Sequence, residues 1–150
     1  MVTINFYDNF YEYIGDGTMD MDNITNTFFI ILLNSSHTFT AANDDLAAVT
    51  ANQLATNFGY TQATGGGTGK ALTSITWQQD SPSVATWAAA TVTWNASGGS
   101  IGAADDAVIF YDPSTTDKLV CSIDFNGSQT AGDGTNFVIT WNASGIFTLS

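Results

Sequence analysis

His37 is the chain's single histidine. It sits in a Ser/Thr turn, Ser35-Ser36-His37-Thr38. Acyl-transfer chemistry of the Ser–His–Asp type needs an imidazole held by a carboxylate and aimed at a hydroxyl. Ser, Thr and Asp are so common here that spacing singles out no such set, and His37 reads as an exposed loop residue. A histidine-based metal centre needs more than one imidazole, and no cysteine cluster takes their place. Asp pairs occur at Asp20/Asp22, Asp44/Asp45 and Asp105/Asp106. Asp16, Asp20 and Asp22 offer oxygen ligands of the kind Ca²⁺ prefers, but the EF-hand order with its distal Glu is missing. Glycosidase chemistry would require two carboxylates about 5–9 Å apart across a cleft, a placement that turn-borne Asp residues do not specify.

The remaining candidates are weaker. Cys121 is the only cysteine, so no intramolecular disulfide forms. Its place on the apolar side of a strand makes it a buried, inert thiol. Gly65-Gly66-Gly67-Thr68-Gly69-Lys70 ends like a phosphate loop. However, Ala71 leaves no hydroxyl for Mg²⁺ and no βαβ unit surrounds the run, so it reads as flexible loop. Trp77, Trp87, Trp94 and Trp141 would suit a sugar-stacking platform if exposed. Most lie beside Val, Ile or Thr in strands, where burial is the common fate. The sequons at Asn23, Asn34, Asn95, Asn126 and Asn142 read as turn chemistry. No residue is nominated as catalytic, cofactor-binding or metal-ligating.

The elements that would position these residues are strands. From Ala107 to Leu149, four apolar or β-branched runs are separated by Pro, Gly, Asn and Ser clusters. Such a pattern predicts consecutive antiparallel strands. In Lys118–Phe125, Leu119, Cys121, Ile123 and Phe125 share one face, and the other holds Lys118, Val120, Ser122 and Asp124. That predicts a half-buried strand. Thr27–Leu33 is apolar without alternation, as a central strand buried on both faces would be. Ala71–Gln78 reads as one strand whose pattern slips at Ser74, followed by a turn over Gln79–Ser83. Val84–Trp87 and Ala90–Trp94 are further strands, and Asn95–Gly102 reads as a long turn.

Helical spacing appears twice. Phe6, Phe10, Tyr13 and Ile14 predict a helix within residues 3–14, either packed on the core or acting as a terminal anchor. Residues 43–54 predict a second helix capped by Asn43 or Asp44, with Leu46, Val49 and Leu54 inward. The hexapeptide Thr-Trp-Asn-Ala-Ser-Gly occurs at Thr93–Gly98 and again at Thr140–Gly145. Its flanks differ, which favours convergent turn chemistry over a duplicated half-domain.

At 150 residues and 44% hydrophobic, the chain is expected to form a single domain over residues 1–150 with its own core. Only 11% of residues are charged, and the net charge is −12 with two lysines. That balance argues against nucleic-acid binding and against docking on an anionic membrane. The longest apolar run, Phe28–Leu33, is far short of the roughly 20 residues of a membrane span. The start lacks the basic region of a secretory signal, so a chain made in the cytoplasm is expected. The fold class is all-β: an antiparallel sandwich, jelly-roll-like, with one or two short helices.

The order of residues also resembles a family. An aromatic amphipathic start leads to Leu32-Leu33-Asn34-Ser35-Ser36, then Asn52–Leu54, then Gly59-Tyr60-Thr61 with Gly65-Gly66. Trp94-Asn95, Val108–Asp112, Leu119 and Ile123-Asp124-Phe125 follow, and Phe137–Trp141 with Gly145-Ile146 closes the chain. This resembles the small virion structural proteins of tailed bacteriophages, of the capsid decoration (cement) type. The chain departs from that pattern in having no Lys or Arg near its first strand or near Val108. The resemblance implies a non-enzymatic protein without cofactors, made in the host bacterial cytoplasm and placed on the outside of the head. It implies the major capsid protein as partner and a homo-oligomer, trimer or dimer. Within the same class it leaves a tail or fibre component open. From a different class, a carbohydrate-binding module is the alternative.

Overall fold

Phe28–Leu33 (β2) is buried at every position, as its unbroken apolar run requires. It pairs antiparallel with Ile101–Tyr111 (β7) on one side and with Lys70–Ala71 (β3) on the other. β7 pairs in turn with Lys118–Ala131 (β8), and β8 with Thr3–Phe6 (β1). The result is a five-stranded antiparallel sheet in the order β1-β8-β7-β2-β3. The remaining strands are Thr76–Ser81 (β4), Val84–Ala88 (β5), Val92–Asn95 (β6), Asn136–Ile139 (β9) and Phe147–Leu149 (β10). They form a three-stranded sheet, β10-β5-β4, and a two-stranded sheet, β6-β9. This computed structural model describes residues 2–22, 25, 27–113 and 117–150.

Alternation along β2 divides the core. Phe28, Ile30 and Leu32 join a large apolar cluster with Trp87, Trp94, Phe137 and Phe147 from the two smaller sheets. Phe29, Ile31 and Leu33 face the opposite way and meet Leu46, Val49 and Ala63 from the long connection after β2. The central sheet is therefore covered on both faces, by strands on one and by an irregular connection on the other. The all-β, antiparallel, sandwich-like architecture agrees with the sequence expectation.

Several local expectations are corrected. Residues 3–14 do not form one helix. Thr3–Phe6 pairs with β8, and only Phe10–Gly15 (α1) is helical. Four residues of β-pairing outweigh the weak helix propensity of an aromatic-rich segment. Phe6, Phe10, Tyr13 and Ile14 nonetheless all pack against the main core. Residues 43–54 form two short 3₁₀ turns, Leu46–Ala48 and Thr50–Asn52, capped at the start by Asp45 rather than Asn43 or Asp44. Tertiary pairing breaks the helix there. Asn52 O accepts from Asn34 N at 2.9 Å, and Leu54 N donates to Leu32 O at 3.0 Å.

Ala71–Gln78 divides into β3 and β4 around Ser74, whose φ of 52° marks the slip in pattern. The following turn is shorter than expected. Ser81 pairs with Val84, leaving Pro82 and Ser83 at its tip. β7 begins at Ile101, inside the expected long turn. β8 is buried on both faces from Leu119 to Ile123 rather than half-buried. A register shift against β7 places Val120 outside the pairing, since Ile109 faces Cys121 and Phe110 faces Leu119. An extra residue reverses the side-chain alternation, so Leu119 packs with Phe110 while Cys121 and Ile123 join the main cluster. Finally, of the C-terminal runs only β7 and β8 pair as consecutive antiparallel strands; β9 pairs with β6 and β10 with β5.

Candidate functional site

His37 is not exposed. Asn34 organises the turn after β2: its carbonyl accepts from His37 N at 3.0 Å and its side chain accepts from Ser36 N at 2.9 Å. The turn lays the imidazole against β7, where Nδ1 lies 3.0 Å from Asp106 Oδ2 and the side chain is 3% exposed. Nε2 is buried without a protein hydrogen-bond partner. Around the pair, Asn5, Ser35, Asp105, Asp124 and Ser128 line an open depression of about 480 Å³. A triad does not follow, because the Ser128 hydroxyl donates to Asp105 and not to the imidazole. Tyr7 lies nearby, 1% exposed. Burial, with Cys121 and Asp106 beside it, pushes its hydroxyl well above the ordinary range, which keeps it neutral. This arrangement fastens a turn to the sheet. Among the described residues, no three His, Cys, Asp or Glu side chains converge as metal ligands would.

The glycine loop meets acids rather than a phosphate. Gly67 N donates to Asp112 at 2.6 Å, and a Cβ at Gly65 would lie 2.4 Å from Asp117 Oδ2. Burial, then the neighbouring Asp112, pushes the Asp117 carboxyl above its ordinary range. A carboxylate of the chain itself thus takes a backbone N–H of this loop. At the start of β8, Asp44 collects Asn9 Nδ2 at 3.1 Å, the Tyr13 hydroxyl at 2.5 Å and Lys118 Nζ at 2.5 Å. Burial pushes Asp44 up, but these three donors outweigh it and hold the carboxyl below the usual range.

The tryptophans do not form a platform. Trp87 and Trp94 are core residues, and the Trp87 indole donates to Met21 O at 3.0 Å. Trp77 and Trp141 are half-buried, with Trp141 Nε1 donating to Ala90 O at 2.9 Å. Cys121 is fully buried, and burial alone pushes its thiol well up. The repeated hexapeptide adopts two geometries. In the first copy Trp94 lies in β6 and is buried; in the second Trp141 follows β9 and the turn closes by the Asn142–Gly145 bridge. Of the sequons, Asn23 and Ile24 lie outside the described residues.

One further concavity was not foreseen in the sequence. An open groove of about 840 Å³ runs between β1 and β8 on one wall and β9 with the segment after it on the other. Ile4, Ile123, Phe125, Phe137, Val138 and Trp141 are among its lining residues, and none of the lining residues is charged. Four large hydrophobic side chains stand exposed among the described residues, and two of them, Val2 at 56% and Val138 at 48%, lie on this groove. The available signal was the absence of charge from Thr3–Phe6 and Asn136–Ile139. The groove holds no titratable side chain, and Gln129, Thr130, Asn136, Thr140 and Asn142 line it beside the apolar residues; exposed uncharged, partly apolar surface of this kind is a feature of protein-contact faces. No protein-family model, no curated protein and no solved structure matches this chain.

Proposed function

We propose that the chain is a non-enzymatic structural protein of a tailed-phage virion, a capsid decoration protein bound to the outer surface of the head. The observation that carries this reading is the uncharged apolar groove bordered by two strand edges. It is a surface shaped for protein contact on a molecule that otherwise repels its surroundings with a charge of −12. The whole-length resemblance supplies the kind of assembly. The major capsid protein is the partner, and the decoration protein acts as a homo-oligomer. A place outside the head keeps so acidic a chain away from packaged DNA. A central sheet covered on both faces suits a protein that must reinforce a shell.

Cryo-EM and quantitative mass spectrometry of purified particles test the proposal. A copy number in proportion to the capsid subunits, with density on the outer shell, is the expected result. Absence from the particle overturns the reading. A few copies at the tail replace it with a tail or fibre component.

A further inference from the structure

We propose that Asn126 is a site of spontaneous chemical modification. Its side-chain amide is lost to the backbone nitrogen of Gly127, leaving a carboxylate or an isoaspartyl link at that point of β8. The inference is independent of what the chain assembles with.

Asn126 is the one asparagine in the sequence that is followed by glycine. The reaction needs only water. The Gly127 nitrogen gives its proton to solvent base, and its electron pair forms a bond to Asn126 Cγ. The Cγ–Nδ2 bond breaks, Nδ2 takes a proton from water and leaves as ammonia, and a cyclic imide closes. Water then opens the imide. Cleavage of the new N–Cγ bond leaves the ordinary link with a side-chain carboxylate. Cleavage of the original peptide bond leaves an isoaspartyl link, in which the main chain runs through Cβ and Cγ. No atom is oxidised or reduced. A Cβ on the second residue would crowd the attacking nitrogen, and glycine has none.

The fold leaves this pair open to the reaction. In a regular ladder a cross-strand carbonyl would hold the attacking N–H, and the backbone would stay extended. β8 departs from both conditions. Its pairing with β7 jumps from Asp106↔Asp124 to Ala104↔Gln129, so Asp105 alone stands opposite residues 125–128. Its pairing with β1 ends at Thr3↔Asp124. Among the described residues Gly127 therefore belongs to neither register, in an enlarged bulge. The φ angles are 55° at Asn126 and 134° at Gly127, far from a strand. Both residues are exposed. A Cβ at Gly127 would meet nothing within 4 Å, which leaves room for the tetrahedral intermediate.

Asp133-Gly134 shows the opposite arrangement. Gly98 N donates to Asp133 Oδ1 at 2.8 Å, and Gly134 N donates to Ala96 O at 3.0 Å. There the side chain and the nitrogen are both held apart from each other. At Asn126 the product has electrostatic consequences. Asn126 N donates to Asp124 Oδ1 at 2.6 Å, so a carboxylate formed here stands beside the depression lined by Asp105, Asp106 and Asp124. One amide exchanged for one carboxylate takes the net charge from −12 to −13.

Incubation of the purified chain in mildly alkaline buffer tests the proposal, read by isoelectric focusing, peptide mapping by mass spectrometry and a methyl-acceptor assay for isoaspartate. The expected result is an acidic isoform with one further negative charge. It should map to the peptide containing Asn126 and Gly127 and should contain isoaspartate. The chain unfolded in urea should convert at a comparable rate. Asn126→Gly removes the amide and suits the φ of 55°, so this variant should lose the isoform. A folded chain that stays unmodified overturns the inference, and conversion in urea alone would show that the fold shields the pair. An acidic isoform that persists in Asn126→Gly, or that maps to another asparagine, overturns it as well.

Discussion

At Asp44 three donors converge on one carboxylate, and they come from α1, the residue before it and the start of β8. Local rules nominated Asn43 or Asp44 as a helix cap. Instead Asp45 caps the turn, accepting from Ala48 N at 3.3 Å, and Asp44 becomes a long-range clasp. The pair has a two-sided pH signature. Asp44 titrates below its ordinary value of about 3.9, so its contribution is complete above that value and is lost as pH falls through the lowered one. The hydrogen bond to Asp44 raises Lys118 above its ordinary value of about 10.4, so its contribution is complete below that value and is lost as pH climbs through the raised one. Asp44→Asn should therefore lower stability most at intermediate pH, by under about 1 kcal/mol because both groups are partly exposed. Urea denaturation across a pH series checks this, and a penalty independent of pH would contradict it.

The last strand shows the same dependence on distant partners at the level of an element. Residues Phe147–Leu149 are too few to form a strand alone, yet Phe147 meets Phe6 at 4.8 Å, Trp87 at 5.2 Å and Phe10 at 5.7 Å between ring centroids. Ile146 N adds a 2.7 Å bond to Trp87 O. The strand belongs to the core of its own chain. Phe147→Ala should cost roughly 3–5 kcal/mol, read from chemical denaturation, and deletion of Ile146–Ser150 should abolish cooperative unfolding. A truncated chain that folds normally but no longer assembles would show the strand to be an interface element instead. Elements with strong local signals were legible in the sequence: β2 from its apolar run, β5 and β6 from their β-branched and aromatic residues. β1 and the two 3₁₀ turns were not, because their conformation follows from what they pair with.

Across the whole molecule, 14 acidic residues against two lysines set the balance of charge. Compaction brings like charges together, and salt screens them. Raising sodium chloride from about 10 mM to 150 mM, which shortens the screening length from about 30 to 8 Å, should raise the thermal midpoint. A midpoint that falls with salt would mean that clasps such as Lys118–Asp44 dominate over the general repulsion.

Composition and periodicity were sufficient for the all-β class, the buried central strand and the packing of most tryptophans, because burial and pleat act through neighbours one or two residues apart. Only the tertiary structure decided the rest. The His37 side chain is buried because Asp106, 69 residues away in sequence, receives it. Leu119 and Cys121 face opposite ways because Val120 has no partner in β7. The neutral groove exists because β1 and β9, at opposite ends of the chain, stop short of pairing with each other. Each of these depends on pairing and register between distant segments, which local sequence pattern does not encode.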